Sequence, residues 1–187
     1  MKLTDVLVPT YGQMLTALSA WLSKAEAQMA AGAEPLMLAR LAPDMFPLAT
    51  QVRFACVQAH EGIFRLAGQP FPESVEILLD EGRNASERPG SIADAQGRIA
   101  ETLAVVKAVA ADMSDIDPAA PIAHTLPQGI VFDFTAEQYA RDWALPQFYF
   151  HVMTAYAILR SQGVDLGKAD YVAHLFAHVR PGTMPTA

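Results

Sequence analysis

Cysteine is almost absent from this chain: Cys56 is the one example among 187 residues. No disulfide can form within the chain and no thiolate cluster can hold zinc, so a reducing compartment is compatible. Between Ala55 and Val57, Cys56 reads as a small buried thiol. Basic charge is scarce as well, with 13 Lys and Arg against 20 Asp and Glu and a formal charge of −7. Phosphate backbones and anionic membrane surfaces draw on clustered cations, so neither nucleic acid nor membrane is an expected partner. A long unbroken apolar run is missing too. The stretch from Val6 to Ser23 is uncharged but holds Pro9, Gly12, Gln13 and Thr16, which suits an amphipathic helix better than a membrane span. Asp5 and Pro9 interrupt the apolar region that a signal peptide requires, and a cytoplasmic protein is expected. There is no G-x-S-x-G elbow, no phosphate loop and no dinucleotide fingerprint.

What the chain does have is helical periodicity. Tyr11, Leu15, Leu18, Leu22, Ala25 and Met29 line one face of a first helix expected to end near Gly32. Leu48, Val52, Ala55, Ala59, Gly62 and Leu66 repeat the pattern between Pro47, suited to a first helical turn, and Gly68, suited to a left-handed stop. Ser91 with Asp94 resembles a capping box, and Ile92, Ile99, Leu103, Val106, Ala110 and Met113 follow as a third stripe. Thr135 with Gln138 is a second capping-box candidate, opening a short helix that Pro146 interrupts or restarts. From there Phe148, Val152, Ala155 and Leu159 mark a fourth helix that ends at Gly163. The segment "IAHTLPQGIVFDF" alternates around "LPQG" as a hairpin would, and being marginal alone it must lean on the helices. The expected architecture is all-α: a four-helix bundle spanning residues 1–187 as a single domain, with a small hairpin between helices three and four and a short helix near Lys168 to Ala177.

His151 sits in the middle of the apolar fourth helix, in phase with Phe148 and Ala155, so its ring is expected to face the core. An unpaired buried imidazole costs about 1–3 kcal/mol, and a hydrogen-bonding partner is required. Gln147, one turn earlier, shares its face, while Gln51 and Gln58 on helix two are placed to reach it across the bundle. His60 lies about 180° around helix two from Gln51 and is a secondary candidate. His174 and His178 have the i, i+4 spacing of a chelating pair, but no zinc-protease glutamate accompanies them and a solvated tail is the better reading. Asp80 with Glu81, and Asp115 with Asp117, read as solvated acids in loops, and His124 has no evident partner.

The blocks "LARLAPDMFPLATQVRFACVQAHEGIFRLAG" and "LPQFYFHVMTAYAILRSQGVDLGKADY" resemble a bacterial domain-of-unknown-function family of the DinB/YfiT-like superfamily. That resemblance implies a bundle in which three histidines, one on helix two and an H-x-x-x-H pair on helix four, often hold a divalent metal such as zinc or nickel. It also implies thiol-transferase or hydrolase chemistry in some members. In this sequence His151 matches the second histidine of the pair, Gln147 stands where the first belongs, and Gln51 is the counterpart on helix two, with His60 as the alternative. Amide oxygens are poor substitutes for imidazole on such metals, so no tightly bound cofactor is expected. The resulting expectation is a degenerate metal site in a non-enzymatic or ligand-binding homodimer. The alternative is a metal-dependent enzyme using His151. Dimerisation is also suggested by Tyr11, Trp21, Phe54, Phe64 and Phe150, which supply more apolar surface than one seam readily hides.

Overall fold

Helical periodicity becomes helices where the stripes predicted them. A computed structural model of the chain describes residues 2–29 and 32–183. Helix α1 spans Leu3–Met29 and buries Tyr11, Leu15, Leu18, Leu22 and Ala25. It stops at Met29, short of Gly32, with Ala30 and Ala31 outside the described residues. Helix α2 spans Leu48–Leu66, with Pro47 as its N-cap rather than inside its first turn, and Gly68 takes the left-handed φ of 65° just beyond it. It is the central helix. Every residue of α2 is buried except Phe54, Gln58, Glu61 and Arg65, which recur every three or four positions and form one open stripe.

Helix α3, Glu73–Arg83, corrects the expectation that Asp80 and Glu81 lie in a loop. Its apolar stripe is short, Val75 and Leu78, and its stability comes from lying on α2. Gly82 makes that approach feasible: a Cβ there would overlap the Phe54 ring, and its carbonyl accepts from Thr50 Oγ1 at 2.8 Å. Helix α4, Ile92–Asp112, begins with the predicted capping box of Ser91 and Asp94.

The hairpin is present as β1, Pro121–Thr125, antiparallel to β2, Val131–Thr135, with His124 opposite Phe132. It rests on the helices through Arg65 Nη1, which donates to Ala123 O at 3.4 Å, and through the Phe132 and Trp143 rings, 5.6 Å apart. The Thr135–Gln138 capping box starts a single turn, which widens into π-helix over Tyr139–Ala144 and then continues as α5, Leu145–Ser161. Pro146 has no N–H for the carbonyl one turn back, and the widened turn accommodates it.

The four long helices bury their stripes in one shared core, with α2 and α5 antiparallel neighbours. The fold is thus mostly helical, with a fifth helix on α2 and a two-stranded sheet. Beyond α5 the expected continuous helix is instead one α-turn, Lys168–Tyr171, and a 3₁₀ segment, Ala173–His178. At three residues per turn His174 and His178 no longer share a face, which removes the chelating geometry. This segment docks on α1, where Trp21 Nε1 donates to Asp170 O at 3.2 Å and Lys24 pairs with Asp170 at 3.1 Å. No described helix is long and apolar enough to cross a membrane.

Candidate functional site

The antiparallel contact of α2 with α5 brings His151 to Gln51. His151 Nδ1 lies 2.9 Å from Gln51 Oε1, and Gln51 Nε2 donates to Phe46 O at 3.2 Å. The second bond decides the first. A carbonyl only accepts, so the Gln51 amide nitrogen must face Phe46 and its oxygen must face the ring; that oxygen in turn requires the proton on Nδ1. Nε2 of His151 keeps its lone pair, makes no hydrogen bond to the described residues and is not sealed from solvent. Burial pushes the His151 pKa down to about 4, so the ring is neutral at pH 7.

Aromatic edges surround the imidazole. Phe54 and Phe150 lie 5.4 and 5.3 Å from it, both edge-on, and Phe46 packs on Phe54 at 5.8 Å. Phe46 and Phe150 are exposed and Phe54 half-buried, so the open side of the pair is an apolar mouth. Nothing in the sequence marks these rings as neighbours of His151: Phe46 lies outside the helix, and Phe150, on the solvent side of α5, stands out only by its size. Phe54 was legible only as a bulky residue.

The other candidates fall elsewhere. Gln147 is half-buried and makes no side-chain hydrogen bond among the described residues, so it does not join His151. Gln58 lines a separate cavity. His60 is 1% exposed, and its Nδ1 is bonded to Cys56 O at 2.9 Å, one turn back on its own helix. Its position on the far side of α2 turns it away from Gln51, which removes it as the alternative partner. Burial lowers its pKa. Glu81 is held by Arg98, Asp80 accepts from Asn84 Nδ2 at 2.8 Å, and Asp115 pairs with Lys2. Asp117 caps Ala119 N at 2.9 Å. Cys56 is fully buried, and burial raises its pKa to about 11.

Nor does the donor set suit a divalent transition metal. One imidazole offers Nε2, while the Gln51 oxygen is committed to Nδ1, on a divergent direction from the same ring. Tight zinc or nickel sites need three converging protein donors, mostly imidazole or thiolate. Among the described residues no three His, Cys, Asp or Glu side chains are placed to hold an ion.

Of the five aromatic residues that suggested excess apolar surface, Tyr11, Trp21 and Phe64 are buried within the chain and Phe54 is half-buried. Phe150, 59% exposed, is the one that matches that premise.

Comparison with known proteins agrees with this architecture. The family model "Domain of unknown function (DUF1993)" matches residues 3–172. No curated protein matches the chain. Among solved structures, the chain is similar to the crystal structure of a DinB family member protein from Shewanella denitrificans, at 32% identity and a TM-score of 0.69, over 95% of this chain and 93% of that one. Since the family match takes in all the long helices and the hairpin, this chain belongs to the DUF1993 family and is DinB-like in sequence and fold.

Proposed function

We propose that the chain is a non-catalytic, ligand-binding member of this family: one domain whose long helices form a four-helix bundle, acting in the cytoplasm as a homodimer, with a degenerate metal site. The observation that carries the reading is the relay from Phe46 O through the Gln51 amide to His151, which orients the ring and leaves Nε2 as a hydrogen-bond acceptor at an aromatic mouth. An acceptor flanked by phenyl edges suits a small, largely apolar molecule carrying one donor group. With a pKa near 4, His151 is a weak base at neutral pH, and efficient general bases are tuned close to the working pH. That favours binding over acid–base chemistry. Homodimerisation rests on exposed apolar side chains, Phe150 and Met153, one turn apart on α5; a monomeric mass by light scattering at micromolar concentration removes it from the reading.

The competing reading is a metal-dependent enzyme centred on His151. Zinc and nickel titrations of untagged protein, with elemental analysis after dialysis, separate the two. The expected result is no stoichiometric metal. A full equivalent retained by the wild type and lost in His151→Phe would establish the enzyme reading in its place.

A further inference from the structure

A cavity of about 490 Å³ opens between α2, α3 and the first turns of α4, and neither His151 nor Gln51 lines it. Arg53 reaches it from α2. The residue is 3% exposed, yet its guanidinium makes no hydrogen bond to the described residues. Its Nε and Nη1 are sealed, and Glu81 Oε2, 3.5 Å from Nε, is the one carboxylate oxygen within ion-pair reach among the described residues. Nη2 is neither sealed nor paired, so it is the atom that a molecule in the cavity can touch. Glu81 compensates this charge only in part, because Arg98 holds both of its oxygens, with Nε donating to Oε2 at 3.2 Å and Nη2 to Oε1. A buried charge without hydrogen bonds is costly, and native folds keep few of them without a use.

The backbone supplies a second open donor. At the start of α4, Ile92 N donates to Glu34 Oε2 at 3.1 Å and Asp94 N to Ser91 Oγ at 3.0 Å, but Ala93 N, between them, has no partner among the described residues. Ala93 lines the cavity, and the N-terminal end of this 21-residue helix carries about half a positive charge. Gly90 lets the turn before α4 close onto Arg53: its φ is 67°, and a Cβ there would lie 2.7 Å from Nη2. Arg88, exposed at the rim, is a third donor, 3.8 Å from Asp80 and so beyond hydrogen-bond distance of it.

The acceptors in the lining are already engaged. Glu81 and Glu101 bind Arg98, and Asp94 Oδ2 accepts from Ser91 N at 2.8 Å and from Ser91 Oγ at 2.7 Å. Formal charges in the lining cancel, so the helix end sets the sign in favour of an anion. With Nε and Nη1 sealed, Arg53 cannot offer the two-point fork that grips a flat carboxylate. Single donors from α2, from the backbone of α4 and from the rim match instead the separate oxygens of a tetrahedral anion.

We propose that this cavity is a binding site for a phosphate-type oxyanion, the free ion or a small phosphate monoester, held by Arg53 Nη2, the Ala93 N–H and Arg88.

The test follows the Ala93 amide in ¹H–¹⁵N spectra at pH 7 and constant ionic strength during titration with inorganic phosphate, glycerol phosphate or acetate. Phosphate is expected to shift this amide saturably, and acetate to bind about ten-fold or more weakly, the loss that accompanies one charge-assisted hydrogen bond. Tighter binding of glycerol phosphate than of inorganic phosphate identifies the ligand as a monoester, equal binding identifies it as the free ion, and both uphold the site. Arg53→Met should weaken phosphate about ten-fold or more, with circular dichroism checking the fold. The exposed Arg88→Ala should weaken it several-fold even if Arg53→Met does not fold. Arg141→Ala, the same change of charge outside the cavity lining, and His151→Phe should leave the affinity unchanged. The absence of a saturable shift up to about 20 mM phosphate, well above the weak millimolar regime, overturns the proposal. Equal affinity for acetate, or indifference to both Arg53→Met and Arg88→Ala, overturns it as well.

Discussion

Replacing Gln51 by Met and His151 by Phe, singly and together, tests the relay at the candidate site. Gln51 is 2% exposed, so Gln51→Met strands the Nδ1–H of His151 and the Phe46 carbonyl in a poorly solvated place. His151→Phe keeps the edge contacts with Phe54 and Phe150 but strands the Gln51 oxygen. Each stranded group costs about 1–3 kcal/mol, so Gln51→Met should be the more damaging single change and His151→Phe the milder. The double variant loses the shared bond only once and keeps neither of its halves stranded. It should therefore be more stable than the sum of the singles predicts, by about 1 kcal/mol or more. Urea unfolding at pH 7.5 measures all four proteins, and an unchanged m-value shows that the denatured state is comparable. Additivity within about 0.5 kcal/mol would refute the direct bond. So would ¹⁵N chemical shifts that place the His151 proton on Nε2.

A methyl group at Gly62 would overlap the buried Tyr11 hydroxyl, which has no hydrogen-bond partner. Gly62→Ala should cost about 1–3 kcal/mol in urea unfolding, and adding Tyr11→Phe should recover most of that loss. Acid should destabilise the protein between pH 6.5 and about 4, because His151 and His124 have native pKa values of about 4 against 6.5 when unfolded. In that window the unfolded chain binds protons that the native state refuses, so stability is full above it and falls by up to about 1.4 kcal/mol per pH unit for each histidine. His151→Phe should flatten part of this slope in unfolding curves taken from pH 7 to 4, and an unchanged slope would contradict the assignment. Cys56 is fully buried with a pKa raised to about 11, so a thiol reagent should label it only as the chain unfolds, at a rate that rises with urea. Rapid labelling of the native protein would contradict its burial.

The long helices and the hairpin were legible because their signals are local. Stripes at steps of three and four, Ser91 with Asp94, Thr135 with Gln138, and a positive-φ glycine after α2 each act within a turn or two of chain. Helix α3 was hidden, since its few apolar residues make a helix only when Gly82 lets it lie against Phe54 and Thr50. The C-terminal helix was read as continuous because nothing in its sequence announces a break, yet its docking on Trp21 through Asp170 and Tyr171 holds a different local geometry. The aromatic excess that suggested a dimer was mostly core, since counting large side chains does not tell which faces the bundle encloses.

By itself the sequence determined which face each long helix turns inward, and hence that His151 faces the core and His60 turns away from Gln51, because rotation about a helix axis follows from residue spacing alone. Which amide meets His151 was decided by the tertiary structure. Residue spacing alone left Gln51, Gln58 and Gln147 all open as partners, and the axial offset at which α2 and α5 pack selects Gln51 and sends Gln58 to a separate cavity. The same holds for His124, whose inward direction follows from strand alternation but whose place beside Trp143, 4.4 Å between ring centroids, depends on where the hairpin settles. Offsets and docking positions are sums of many weak contacts between distant segments, and no local pattern encodes them.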